Sequence, residues 1–423
     1  MCLRAFLSDS PEKLQSARIA VALSVFAISL IVFGFFWDTP AGIVGGIWRI
    51  IRSQAGLITD SIAIGGMGAA FVNSGLVTLI CIGLLCLLRM PFTGISIASL
   101  FLMAGFSLFG KDIWNIFPII FGGFLYARFR REPFGRYIYI SLFGTALSPV
   151  VTEIVNVGGE NAAAWYTVGV GIGVGIGFIL PAVASFTLRV HQGYNLYNVG
   201  FTAGLIGMVL ASFFKSFGHV FETRLEWSAG NTLPLAVFLF CLFGVMGAVG
   251  FLWNGHSPQG LLRITRHSGR LVADFVLHDG LPVTMMNMAC VGAAATAYVL
   301  FVGGELNGPT IGGIFTICGF GAFGKHLKNI APVILGVIVS SIFTVWTLDE
   351  PNTLLAALFA TGLAPIAGQF GWGWGMLAGA IHASVVLNTG FLHGGLNLYN
   401  NGFSAGLVCI VLVPLIESLR KET

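Results

Sequence analysis

Within a strongly apolar chain, the phrase HQGYNLYNVGFTAGL begins at His191 and returns at His393 as HGGLNLYNNGFSAGL. Carboxamides both donate and accept hydrogen bonds. Asn195, Tyr197 and Asn198, with Asn397, Tyr399 and Asn400, can therefore replace the water around a small polar solute without adding net charge. A plainer role is open to the same residues: Asn198 or Asn400 caps the helix that follows, and GF-x-AGL packs that helix closely on a neighbour. His191 and His393 open the two phrases and are candidates for a pathway mouth or for proton handling.

Other chemistry-bearing residues are paired too. Asp60 and Asp274 lie 214 positions apart, each shortly before a long apolar block, where an acid serves either ion coupling or a helix N-terminus. Lys111 and Lys325 end the matched stretches GFSLFGK and GFGAFGK. They suit attraction of anions and repulsion of cations, or anchoring at the membrane interface. Beside them, Phe106, Phe109, Phe320 and Phe323 can build a constriction that strips water, or ordinary core. Asn73 and Asn287 are a further matched polar pair on the expected solute pathway. Glu153 matches Gln369, so a proton role there is one-sided.

No Ser/His/Asp set, Walker sequence or metal cluster is visible, so neither catalysis nor a bound cofactor is expected. The run GVGIGVGIG from Gly169 lacks the strand–turn–helix setting of a nucleotide loop, and its glycines instead share one helix face for close packing. Seven cysteines without C-x-x-C spacing read as packed hydrophobes, not a disulfide frame or metal site.

Membrane helices must position these groups. Of 423 residues, 56% are hydrophobic and 9% charged, against about 25% charged in a soluble domain. The fold class is therefore an all-α polytopic membrane protein. Apolar blocks suited to a bilayer, which needs about 20 residues per helix, recur from Ile19 to Pro414. The first exceeds the apolar core of a signal peptide, about 7–15 residues, and reads as a retained span. The net charge of +4 belongs to loops and implies no nucleic-acid partner.

The chain is a duplication. GFSLFGKDIWNIFPIIFGG from Gly105 matches GFGAFGKHLKNIAPVILGV from Gly319, an offset of 214 that also pairs Gly94 with Gly308. TALSPVV from Thr145 matches TGLAPIA from Thr361 at 216, and the asparagine phrases match at 202. The expected organisation is a head (1–19), a first repeat (20–214), a polar linker (215–233), a second repeat (234–416) and a tail (417–423).

The loop RFRREPFGR is basic, and its counterpart SSIFTVWTLDEPNT has no Lys or Arg. The positive-inside rule then predicts opposite orientations, and the seven apolar blocks between the loops, an odd number, agree. The matched pairs Arg49/Arg52 and Arg263/Arg266 suit interfacial helices that tolerate either face. Four short blocks, 95–109, 311–323, 199–214 and 402–414, predict re-entrant or half-crossing helices. Such pairs in two halves point to a solute site near the midplane.

With its tandem NLYN-x-GF-x-AGL motif, the chain resembles, across nearly its whole length, a bacterial family of duplicated integral membrane proteins without assigned activity. More distantly it is similar to the urea-transporter family. That likeness implies two inverted halves of about five spans, a half-helix in each, a pore in every subunit and a trimer. Leu196-Tyr197-Asn198 and Leu398-Tyr399-Asn400 carry it, and Thr145 and Thr361, each four residues before a proline, stand where that family has a threonine signature. Gly200 and Gly402 are followed by Phe, a departure that leaves the substrate open.

The resemblance implies a multi-pass protein of the bacterial cytoplasmic membrane; the paired polar breaks point to a small polar solute as partner, alongside the lipid bilayer. The expected function is a channel or facilitator for a small polar, neutral or weakly charged solute. Its competitors are a proton- or sodium-coupled transporter and a non-transporting subunit of a redox or signalling complex.

Overall fold

A computed structural model describes residues 10–54, 56–157, 162–221 and 223–420. Among the described residues twenty α-helices form two matched sets of ten. The first set is α1 (Pro11–Phe35), α2 (Pro40–Arg52), α3 (Ser61–Gly65), α4 (Met67–Leu87), α5 (Gly94–Phe106), α6 (Phe117–Arg130), α7 (Ile138–Gly144), α8 (Ser148–Val157), α9 (Ala162–Val190) and α10 (Asn198–Ser216). The second is α11 (Thr232–Trp253), α12 (Leu261–Ile264), α13 (Phe275–Asp279), α14 (Leu281–Phe301), α15 (Gly308–Phe320), α16 (Leu327–Ser341), α17 (Pro351–Ala360), α18 (Ala364–Phe370), α19 (Trp372–Val386) and α20 (Asn400–Leu419).

Among the described residues nine helical stretches are long and apolar enough to cross a membrane, α7–α8 and α17–α18 each counting as one. The second repeat is shorter chiefly here, α19 having 15 residues where its counterpart α9 has 29.

The half-helices α5 and α15 have 13 residues each, about 20 Å at 1.5 Å per residue, too short to cross. Both belong to re-entrant hairpins. Gly135, beyond α6, packs on Met90 ahead of α5, and Tyr139 shares a 2.7 Å hydrogen bond with Ser96, so α6 returns to the face where α5 entered. In the second repeat Gly304, ahead of α15, packs likewise on Leu354 beyond α16.

The other two short blocks turn out longer, α10 having 19 residues and α20 having 20. Polar residues extend α10 at little cost, because Ser212 and Ser216 bond back to carbonyls four residues earlier at 2.8 and 3.0 Å. In α20 the helix continues through Pro414.

The repeats are inverted. Near the end of α1, Gly34 packs on Gly68 at the start of α4, so α3 and the start of α4 lie at the far end of α1 from its head. Ser228, just ahead of α11, bonds Asp60 at that far end. Gln15, at the head of α1, bonds the Val276 carbonyl in α13 at 3.3 Å. Each repeat therefore begins at the face where the first helix of the other ends. Five full crossings and the α15–α16 hairpin separate the basic loop after α6 from the acidic loop after α16. The count stays odd because the hairpin, formed by the last two of the seven blocks, returns to its own face.

The arginine pairs accordingly lie on opposite faces, and one arginine of each is bonded locally. Arg49 donates to the carbonyls of Ile64 and Gly65 at 3.1 and 3.0 Å, and Arg263 pairs with Asp279 at 2.7 Å. Cys81, Cys241, Cys290, Cys318 and Cys409 are free thiols.

The two half-helices pack against each other in the core, antiparallel, with Gly105 on Gly312 and Gly319 on Phe101. Phe101 stacks on Phe26 of α1 with ring centroids 4.3 Å apart.

Candidate functional site

Each half-helix is held by the other repeat. Asp60 Oδ1 accepts from the N–H of Ile62 in its own repeat (2.9 Å) and of Gly308 at the start of α15 (3.2 Å). Asp274 answers with Oδ1 on Leu277 N–H (3.2 Å) and Oδ2 on Gly94 N–H (2.9 Å), at the start of α5. Buried carboxylates here meet the unpaired N–H groups and positive dipole end of the half-helix. Glycine is required at both starts, since a Cβ on Gly94 or Gly308 would stand 2.6 or 2.4 Å from the facing carboxylate oxygen.

The hairpin tips are built identically. Asn73 donates to the carbonyls of Ser107 and Lys111 at 2.8 and 2.9 Å, and Asn287 to those of Gly321 and Lys325 at 2.7 and 2.8 Å. Gly110 and Gly324 turn the chain with φ of +97° and +116°, conformations strained for any residue with a Cβ. In this way the FGK sequence carries Lys111 and Lys325 inward, where both are fully buried. Interfacial anchoring is thereby excluded for them. Asn73 and Asn287 spend their NH2 groups on the tips, and Asn73 Oδ1 is buried without a hydrogen-bond partner among the described residues.

Lys325 Nζ donates to the Tyr197 hydroxyl and, at 2.8 Å, to Thr361 Oγ1, and lies 4.6 Å over the Tyr197 ring. Thr361 sits in the 3-10 turn between α17 and α18, Thr145 in the matching turn between α7 and α8. Lys111 is placed differently. Among the described residues its Nζ lies 3.5 Å from the thioether of Met103 and 4.9 Å from the face of Phe106, with the Cys81 thiol in electrostatic reach. Thr145 shares that sulfur at 3.4 Å.

The asparagine phrases pin the crossing of α10 and α20. Asn195 Oδ1 accepts from Tyr197 N–H (2.9 Å) while Nδ2 reaches into the other repeat to the Gly402 carbonyl (3.0 Å). Asn397 does the same with Tyr399 N–H (3.0 Å) and the Gly200 carbonyl (3.3 Å). Asn198 Oδ1 lies 2.9 Å from both His191 Nε2 and the Thr187 hydroxyl, and Nδ2 donates to the Ala184 carbonyl (3.0 Å). Asn400 matches it with His393 (2.9 Å), Thr389 (3.3 Å) and the Val386 carbonyl (3.2 Å). Tyr197 and Tyr399 occupy the N-cap positions without side-chain caps. The amides therefore neither cap their helices nor stand free.

Aromatic rings fill the centre. Tyr197 and Tyr399 face each other at 4.6 Å. Phe320 lies 5.2 Å from Tyr197, and Phe106 lies 5.0 Å from Tyr399. Phe109 packs behind Phe106 at 4.9 Å. Glu153 stands on α8 with Oε1 unbonded, in electrostatic reach of Arg224.

Two cavities of about 210 and 330 Å³ lie beside the two asparagine phrases. The first is lined by Leu271, Val272, Tyr139, Ala184, Leu188 and Asn198, and reaches Phe323, Phe320, Tyr197 and Tyr399. The second is lined by Leu57, Ile58, Leu355, Val386, Gly390 and Asn400, with Arg224. At the offsets of 214, 216 and 202, those six residues are the counterparts of the first six, in order. The cavities are thus one feature occurring twice, and inversion turns them to opposite faces. Spacing alone did not reveal Met103, Thr187, Thr389 or Ser228 as partners. Applying the duplication offsets to every polar residue would have found the Thr187 site, because Thr389 is its match at 202.

A family model described as "Protein of unknown function (DUF1576)" matches residues 39–216 and 253–418. The chain belongs to that family. Its two matched stretches fall on the two repeats. No curated protein and no solved structure matches the chain, and the likeness to urea transporters finds no support there.

Proposed function

We propose that this protein is a facilitator for a small polar, weakly charged solute, with a pathway between the inverted repeats from one cavity to the other past Tyr197 and Tyr399. The paired cavities carry this reading: a duplicated fold that only had to pack would gain nothing from a matched hollow beside each asparagine phrase. In this structure the aromatic stack closes the centre, so passage requires the rings to part. Motion at the α10–α20 crossing, where Gly200 and Gly402 touch, would part them. The face bearing Arg128, Arg130, Arg131, Arg136, Arg263 and Arg266 is taken as cytoplasmic.

Ion coupling at Asp60 or Asp274 is the weaker reading, since both carboxylates are occupied by backbone N–H groups. The test is solute equilibration in liposomes holding the purified protein, followed by light scattering for urea, glycerol, formamide and small salts. At least one solute should equilibrate faster than in protein-free liposomes without an imposed ion gradient. Equilibration that appears only under a proton or sodium gradient favours coupling. No acceleration for any solute, with or without gradients, ends the proposal.

A further inference from the structure

Two lysines lie fully buried at the heart of the fold, and among the described residues the salt bridges of this protein involve neither. The buried acids nearby, Asp60, Asp112 and Asp274, are each bonded to backbone N–H groups, Asp60 and Asp274 at the half-helix starts and Asp112 at Trp114 and Asn115. An ammonium group brings three donors and no acceptor, and leaving it without a counter-charge in a water-poor interior is costly. Lys325 has two hydroxyl oxygens, of Tyr197 and Thr361. Lys111 has a thioether and a ring face, both weak partners for a cation. A third feature belongs to the same place: the buried Tyr399 hydroxyl makes no hydrogen bond of ordinary geometry, although it lies close to that of Tyr197.

Resting on the facilitator reading above, we propose that the solute is a small monovalent anion, received by Lys325 with the hydroxyls of Tyr197, Thr361 and Tyr399, and by Lys111 on the other side of the tyrosine pair. The free valences of the two ammonium groups are donors, and the Tyr399 O–H, which lies against the Tyr197 hydroxyl, can turn to a ligand. A ligand that accepts from all of them and carries one negative charge completes the site. A neutral amide would leave the charge unmet, and a cation would be repelled. The flanking Phe106 and Phe320 limit the ligand to a few heavy atoms that enter with little water.

The two lysines are matched by the duplication but differently bonded, Lys325 closed onto its tyrosine and threonine and Lys111 open. An anion can therefore exchange one set for the other as it crosses. No covalent step is involved.

The test uses the full-length protein in liposomes with a salt dilution potential, reading chloride, nitrate and formate against sodium, and with glycerol and urea uptake measured in the same vesicles. The expected result is a potential of the sign set by anion permeation. Lys325→Met and Lys111→Met should each lower anion flux about ten- to a hundredfold, the worth of one charge-assisted hydrogen bond, with Lys325→Arg recovering part of it. Because loss of a buried lysine could also unfold the protein, the wild-type potential stands as an independent measurement, and Tyr399→Phe, which keeps the ring, should lower anion flux severalfold.

Uptake of glycerol or urea without anion permeation overturns the anion assignment and leaves the facilitator reading standing. So does anion flux unchanged in both folded methionine variants. Failure of every solute class overturns both.

Discussion

Replacing Asp60 with alanine removes a carboxylate that joins three segments. Oδ1 accepts from Ile62 and Gly308 N–H at 2.9 and 3.2 Å, and Oδ2 from the N–H of Ser228 at 3.0 Å and from its hydroxyl. The hydroxyl can turn to another acceptor, so the loss falls on three N–H groups. The Gly308 and Ile62 bonds are buried, and that of Ser228 only partly. At about 1–3 kcal/mol for each buried donor left unmet, and less where water reaches, the change costs about 3–6 kcal/mol.

Asp274→Ala frees only two N–H groups, of Gly94 and Leu277, and Leu277 is 67% exposed. Its cost is about 1–3 kcal/mol on the same basis. The matched acids should therefore be unequal, with Asp60→Ala the more damaging. Reversible unfolding in lipid–detergent bicelles, followed by tryptophan fluorescence, measures this, and Trp227 beside Ser228 is a local reporter. Asp60→Asn keeps one acceptor oxygen and should recover part of the loss. A coupling role for Asp60 forecasts something different: Asp60→Asn would fold normally and lose gradient dependence. Equal costs for the two alanine variants, or Asp60→Ala within about 0.5 kcal/mol of wild type, a surface-like effect, refute the cross-repeat cap.

At the crossing, Gly402→Ala should destabilise by about 1–3 kcal/mol through overpacking, because the new Cβ would stand 2.9 Å from Gly200 Cα, backbone that cannot swing away. Thermal melting checks it against Gly244→Ala, where nothing lies within 4 Å and no loss is expected. For the inversion, Arg131→Cys and Val345→Cys, in a background with the exposed Cys241 changed to serine, should react with a membrane-impermeant maleimide from opposite faces. Labelling from the same face would mean that the repeats are parallel.

Much of the architecture was legible because duplication writes it twice. The pairing of Asp60 with Asp274, Lys111 with Lys325 and Asn198 with Asn400 needed only the offsets, and charge asymmetry between the loops after α6 and α16 indicated inversion. Half-helices were visible as apolar runs too short for a bilayer, a constraint local in sequence. The same rule misjudged α10 and α20, whose polar ends continue the helix where the hydrophobic count stops.

What the residues do at the centre was decided only by the tertiary structure. Sequence pairs Asp60 with Asp274, but in space each acid meets the other repeat's glycine, Gly308 or Gly94. The asparagines hold backbone and histidines, with Asn198 and Asn400 also lining the two cavities, and the lysines, which local sequence left divided between interface and pathway, are enclosed. An offset compares equivalent positions, whereas packing about a pseudo-two-fold axis brings together positions that are not equivalent. A hydrogen-bonding group finds its partner by distance, and distances between two inverted copies exist only once the copies have been laid against each other.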